Sequence, residues 1–201
     1  IKTQDSPYFV ALVDAVNTYG TAEGWDVTVL DANGDTTKEA ENISQDGQGN
    51  LRITAVKSSN GSFTSARIKT EGIFNQQFGK IEARIKTPTG SGMWPAFWML
   101  GSNIDQVGWP QCGEIDIMEL IGHEPATVHG TAHWGPQGQT YSIHKGGEYD
   151  LSSGKFSDEF HVFSIIWEPD QIKWYVDDNP YFTLTKSDVN GNYPFNEAFF
   201  F

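Results

Sequence analysis

From residue 45 onward the chain is written in short alternating runs closed by glycine- or asparagine-rich turns, and this rhythm constrains the fold more than any other feature. The runs 51–56 (LRITAV), 64–69 (TSARIK) and 79–86 (GKIEARIK) alternate apolar and polar residues with the two-residue period of a strand. Ser59-Asn60-Gly61 and Thr89-Gly90-Ser91-Gly92 supply turns between them. Further strands are expected at 93–100, 113–121, 127–134, 160–167, 172–177 and 181–185. Short strands with a turn signal every ~8–12 residues predict a sandwich or barrel. The composition fits that class: 21 Gly and 9 Pro serve turns, while 7 Trp, 7 Tyr and 13 Phe fill a core or line a groove.

Residues 1–45 read differently. The stretch 7–19 (PYFVALVDAVNTY) sets Phe9, Leu12, Val13 and Val16 at helical spacing, and Gly24 closes it. The run 26–30 (DVTVL) predicts a strand, 31–35 a turn, and Thr37 the N-cap of a second helix beginning over 36–41. Alone, this segment predicts α/β architecture with a parallel sheet. The expected organisation is an α/β-like segment, 1–45, ahead of an all-β domain, 46–201, which stops inside a strand at Phe199-Phe200-Phe201.

Charge narrows the partners. Against 26 Asp+Glu stand 13 Lys+Arg, a formal net charge of −13, so a nucleic-acid backbone or any anionic polymer would be repelled. A neutral ligand is expected. No apolar run approaches ~18 residues, so no membrane span is expected. The single cysteine, Cys112, has no internal disulfide partner, and no Cys/His cluster has zinc spacing. Ile1-Lys2-Thr3-Gln4 lacks the basic start and apolar stretch of a signal peptide, as a mature secreted form would.

The stretch that bears chemistry is Gly113-Glu114-Ile115-Asp116-Ile117-Met118-Glu119-Leu120. Glu114 and Asp116 share one face of a strand, whereas strict alternation puts Glu119 on the other. One extra residue in a β-bulge, supplied by Met118 or a neighbour, restores parity. Three acids then project from one face while Ile115, Ile117 and Leu120 point into the core. Mutual repulsion and desolvation make that arrangement costly for stability. The glutamates would be four effective positions apart, ~13 Å along the backbone at ~3.3 Å per residue. Leaning side chains could close the gap to the ~5–5.5 Å of a retaining glycosidase pair. Spacing alone leaves two other readings open: a solvent-facing acidic strand, and a calcium site built from carboxylates.

These residues resemble the bulged signature of glycoside hydrolase family 16, a family of β-jelly-roll endo-glycanases. Ser65-Ala66-Arg67-Ile68-Lys69-Thr70, Phe78-Gly79-Lys80-Ile81-Glu82-Ala83-Arg84, Gly92-Met93-Trp94-Pro95-Ala96-Phe97-Trp98-Met99-Leu100 and Thr127-Val128-His129-Gly130-Thr131-Ala132-His133 are similar to laminarinases, its β-1,3-glucanases. Lichenases and plant xyloglucan transglycosylases carry a form without the extra residue, whereas laminarinases, agarases and carrageenases carry the longer one. The resemblance implies a jelly-roll sandwich with a concave cleft and retaining endo-hydrolysis of β-1,3-glucan by double displacement. It implies Glu114 as nucleophile, Glu119 as acid/base and Asp116 as assisting acid. It also implies secretion, since such polymers are too large to import.

For the cleft, the resemblance implies glucose contacts at Trp94 and Trp109, and sugar contact or cleft ordering at Arg67 and His133. Trp98, on the Trp94-Ala96-Trp98 face, reads equally as groove or core. Phe97, Leu100, Trp167 and Trp174 read as packing residues, His161 as a structural histidine, and Cys112 as a buried small residue. No cofactor is implied for the chemistry. A structural calcium ion occurs in the family, but its ligands often lie in segments that this sequence lacks, so no metal ligands are assigned.

Residues 6–43 resemble the opening of periplasmic sugar-binding proteins, which implies sugar contact at Tyr8 and Phe9. The two-lobed remainder of that fold is missing, so a structural or engineered graft is the simpler expectation. Two alternatives to the glucanase stay open: a weak or inactive glucan-binding chimera, and an agarase- or carrageenase-type member of the same family. A carrageenase needs a basic groove, and the 13 cations count against one.

Overall fold

The computed structural model describes residues 26–31, 36–37, 42–136 and 139–201. The chain divides into two compact units, Ile1–Ile73 and Phe74–Phe201.

In the first unit the described strands are β1 (Asp26–Asp31), β2 (Thr36–Thr37), β3 (Ile43–Gln45), β4 (Leu51–Ile53), β5 (Val56–Lys57) and β6 (Phe63–Lys69). Four of them form an antiparallel sheet in the order β2-β1-β6-β5, and β3 pairs with β4 as a hairpin. The side-chain amide of Asn42, itself fully buried, donates to the Thr54 carbonyl at 2.8 Å and to the Thr64 hydroxyl at 3.1 Å. These bonds fasten the hairpin to the sheet.

Two expectations for this unit are corrected. β1 pairs antiparallel with β6 from Asp26↔Lys69 to Asp31↔Thr64, not in a parallel sheet. Thr36 and Thr37 do not open a helix but pair with Leu30 and Val29. The alternating run at 64–69 offers β1 a full-length edge, and ladder hydrogen bonds outweigh the weak capping signal at Thr37. The helix expected over 7–19, with Tyr8 and Phe9, lies outside the described residues.

In the second unit the strands are β7 (Gly79–Ile85), β8 (Ala96–Gly101), β9 (Glu114–Glu119), β10 (Thr127–Trp134), β11 (Ile143–Asp150), β12 (His161–Glu168), β13 (Gln171–Val176), β14 (Asn179–Thr185) and β15 (Phe199–Phe200). A single helical turn, α1 (Ile104–Val107), follows β8. One antiparallel sheet runs β11-β10-β9-β8-β15 and the other β14-β13-β12-β7.

The core sits between these sheets. Ile115, Ile117 and Met118 of β9 and Val128, Ala132 and Trp134 of β10 meet Phe163, Ile165 and Trp167 of β12 and Ile172, Trp174 and Val176 of β13. Along β10 burial alternates strictly, which leaves Thr127, His129, Thr131 and His133 on the opposite face. The result is the all-β sandwich expected from the strand rhythm. Trp167 and Trp174 are packing residues as expected, and so is Phe97, which packs against the core. Leu100 differs: it pairs with Glu114 and shares the face of Trp98. His161 is structural, with Nδ1 at 2.6 Å from Asp177 Oδ2 and its ring against Phe156. Cys112 is buried and its thiol is pushed up to about 11, which makes it inert.

Candidate active site

The acidic strand lies in the middle of its sheet, and its register shows how three acids reach one face. Trp98 pairs with Asp116 and Phe97 with Met118, so Ile117 has no partner on β8. On the other side Thr131 pairs with Asp116 and His129 with Glu119, again with one residue too many on β9. This is the bulge the sequence demanded, with Ile117 as the unpaired residue. Ile117 and Met118 are both buried, at 1% exposure each, so two consecutive side chains enter the core and Glu119 returns to the face of Glu114 and Asp116.

The bulge is supported from below. Trp174 Nε1 donates to the Asp116 carbonyl at 2.8 Å from within the core. Gly130, opposite the bulge, makes the space: a Cβ there would lie 2.4 Å from Trp174 Cδ1 and 2.3 Å from Tyr181 Oη.

Each glutamate is held by an exposed indole. Trp94 Nε1 donates to Glu119 Oε1 at 2.9 Å, and Trp109 Nε1 donates to Glu114 Oε2 at 2.7 Å. Trp94 is 71% exposed and Trp109 48%, so each ring keeps an open face on which a pyranose can stack. Trp94, Ala96, Trp98, Glu114, Asp116 and Glu119 line a cavity of about 240 Å³. Trp98 therefore belongs to the groove.

His133 completes the cluster. Its Nε2 is 3.2 Å from Asp116 Oδ2, an ion-pair distance but off the line of a good hydrogen bond, since that oxygen has no hydrogen-bond partner by geometry. Its Nδ1 lies 3.4 Å from the Ser142 hydroxyl, which turns Nε2 toward the acids.

Burial and crowding set the proton affinities. Burial lifts the Glu114 carboxyl to about 7, and the Asp116 charge adds to it, while His133 and the Trp109 N–H pull the other way. Burial raises Asp116 as well, with His133 opposing. Asp116, in turn, is the main group holding His133 above its ordinary value. The cluster thus retains a proton near neutrality, as two-carboxylate chemistry requires.

Of the residues expected at the site, Glu114, Asp116, Glu119, Trp94, Trp98, Trp109 and His133 are brought together by β8, β9, β10 and the loop before β9. Arg67 lies on β6 of the first unit, opposite Thr28. Sequence reasoning missed Ser142 and Gly130, and it read Trp174 only as packing. A glycine inside an alternating strand is a signal that could have pointed to Gly130. Among the described residues, Glu114, Asp116 and His133 are the group that could hold a metal, their ligand atoms lying within 4.8 Å of one another. An imidazole in a set of three does not suit calcium, which takes 6–8 oxygens, so no calcium site is assigned there.

The comparisons agree with this geometry. A stretch of 146 residues is 38% identical to glucan endo-1,3-beta-glucosidase A1 of Niallia circulans, covering 69% of this chain and 21% of that protein. The glucan endo-1,3-beta-glucosidase of Cryptopygus antarcticus is 40% identical over 145 residues, 69% of this chain and 53% of that one. The chain thus spans between about a fifth and a half of these two relatives. Among solved structures, the laminarinase catalytic domain of Thermotoga maritima shares 44% identity at a TM-score of 0.68, covering 81% of this chain and 68% of that chain. The sequence profile of the glycosyl hydrolases of family 16 matches residues 30–199, so the likeness begins inside the segment that read as foreign. With that match over most of its length and the jelly-roll laminarinase fold beneath its bulged acidic strand, the chain belongs to glycosyl hydrolase family 16.

Proposed function

We propose that this chain hydrolyses internal linkages of β-1,3-glucan with retention at the anomeric carbon. The observation that carries the reading is the bulge at Ile117, which turns Glu119 onto the face of Glu114 and Asp116. Glu114 attacks the anomeric carbon while Glu119 protonates the departing oxygen, and Glu119 then takes a proton from the water that releases the sugar. Asp116 lies between them, 2% exposed and in contact with His133, and regulates the proton held by the cluster. Trp94 and Trp109 anchor the two glutamates and offer ring faces to sugar, Trp98 walls the cavity, and Arg67 is kept as a proposed substrate contact. No cofactor takes part in these steps. The substrate is a neutral polysaccharide met outside the cell, and a sulfated one is disfavoured by the net charge of −13.

Reducing sugar released from laminarin by the purified chain, and abolished by Glu114→Ala, is the expected result. Binding of laminarin without release by the parent would replace this reading with a glucan-binding module.

A further inference from the structure

One buried oxygen shows that the acidic cluster has a second capacity. Asp116 is 2% exposed, yet its Oδ2 has no hydrogen-bond partner by geometry, and it lies 3.2 Å from His133 Nε2. A buried carboxylate oxygen without a donor is costly, and a bound cation removes that cost. We propose that Glu114, Asp116 and His133 form a binding site for a zinc ion, which holds the enzyme reversibly in an inactive form. Binding needs no assumption about the reaction, whereas the inhibition rests on the glucanase reading.

The donor set and its spacing select the metal. One imidazole and two carboxylates are three ligands of the kinds that zinc takes, whereas calcium demands a shell of 6–8 oxygens. Around a tetrahedral zinc with ligands at ~2.0–2.1 Å, neighbouring ligand atoms lie roughly 3.3–3.4 Å apart. The 3.2 Å between His133 Nε2 and Asp116 Oδ2 is close to one edge of that tetrahedron. Glu114 closes the set, because the three ligand atoms all lie within 4.8 Å of one another. A side-chain adjustment of about 1.5 Å at most brings the remaining edges to length. Trp109 holds Glu114 Oε2 at 2.7 Å, and a carboxylate has a second oxygen to offer, so that bond survives.

The surroundings complete the site. Metal on Nε2 places the ring proton of His133 on Nδ1, and the Ser142 hydroxyl lies 3.4 Å away to accept it. The cavity of about 240 Å³ beside Glu114 and Asp116 gives an entry path and room for water in the fourth position. The net charge of −13 draws cations toward the chain. Zinc held there occupies the carboxylate that attacks the sugar and the space in which the sugar sits. Zinc and glucan therefore exclude one another.

Calorimetry of the whole chain with zinc chloride, in a buffer that does not chelate, tests the site directly. The expected result is one zinc ion per chain, not displaced by excess calcium. Asp116→Asn and His133→Ala should each weaken binding roughly a hundredfold or more, and Ser142→Ala about tenfold. Thermal unfolding checks that each variant is folded. His144→Ala serves as the control, since its ring lies 5.4 Å from that of His133 between centroids and a histidine pair is the rival site. Parental affinity is expected there. In laminarin hydrolysis, zinc should raise KM at unchanged kcat, and EDTA should restore the parental rate. A parent that binds no zinc, parental affinity in folded Asp116→Asn or His133→Ala, loss of binding in His144→Ala, or displacement by calcium overturns the site. Zinc bound at the site with hydrolysis undiminished overturns the inhibition. If the parent cuts no laminarin, the glucanase reading fails by itself, and calorimetry still decides the zinc site.

Discussion

Replacing Gly130 with alanine puts a methyl group into space that Trp174 and Tyr181 already occupy. The new carbon would lie 2.4 Å from Trp174 Cδ1, 2.9 Å from Trp174 Nε1 and 2.3 Å from Tyr181 Oη, so the indole has to move. Movement breaks the 2.8 Å bond from Trp174 Nε1 to the Asp116 carbonyl and leaves that buried carbonyl without its donor. Overpacking of this kind costs about 1–3 kcal/mol, and an unsatisfied buried carbonyl about 1–3 more. A combined loss of roughly 3–5 kcal/mol lowers Tm by about 10 °C in a chain of this size. The same movement releases the bulge that aims Glu119, and misplacement by about 1 Å costs on the order of a hundredfold in rate. Trp174→Phe separates the two effects, because it removes the N–H without adding volume. It should cost about 2–4 kcal/mol, the unpaired carbonyl plus a small cavity, and a smaller part of the rate. Thermal unfolding and laminarin hydrolysis on the same samples provide the assay. A Gly130→Ala protein with parental Tm and parental rate would refute the claim that this glycine and this indole hold the bulge.

Further outcomes can be checked by unfolding and by laminarin hydrolysis. Glu114 has a folded-state pKa of about 7 against an ordinary 4.5, so its cost to stability is absent below 4.5 and grows as pH rises to about 7. Glu114→Gln should therefore gain roughly 2 kcal/mol on the parent between pH 4 and pH 8, once solvent screening in the open cleft is allowed for, and urea unfolding at both pH values measures it. His133 adds a slope of the same sign, since its raised pKa contributes stability at low pH that is lost as pH climbs through it. Trp109→Phe removes a donor that favours the Glu114 carboxylate, so the acidic limb of the rate profile should move to higher pH and kcat fall about tenfold. Trp94→Phe keeps a ring for stacking but frees Glu119, and kcat should fall while KM changes little. Ser142→Ala loosens His133, and a rate loss of about threefold at unchanged Tm is expected.

The acids were legible because a bulge leaves a mark in sequence: Glu114 and Glu119 are an odd distance apart, and Ile117 and Met118 are consecutive apolar residues. The sandwich was legible from alternation, which β10 and β13 keep strictly. β11 was not. Its sequence, IHKGGEYD, carries two central glycines and few apolar residues, and one face, at 144, 146, 148 and 150, is exposed and needs no core side chains. Strand propensity has little to read there, and pairing with β10 together with packing of Ile143 and Tyr149 against the core fixes it. The N-terminal segment misled for the opposite reason. A β-branched run at 26–30 predicts a strand but not its direction, and direction depends on the edge at 64–69 far along the chain. Trp174 shows the remaining limit. Its burial was readable from its apolar neighbours, but its bond to Asp116 links residues 58 apart, and nothing local announces it.

The central claim is that the bulge sets Glu114 and Glu119 for double displacement, and the anomer first released tests it most directly. Proton NMR of laminarin during the first minutes of hydrolysis should show the β anomer appearing before the α anomer grows in by mutarotation. An α anomer appearing first would mean single displacement with inversion, and would contradict the assignment of Glu114 as the attacking carboxylate.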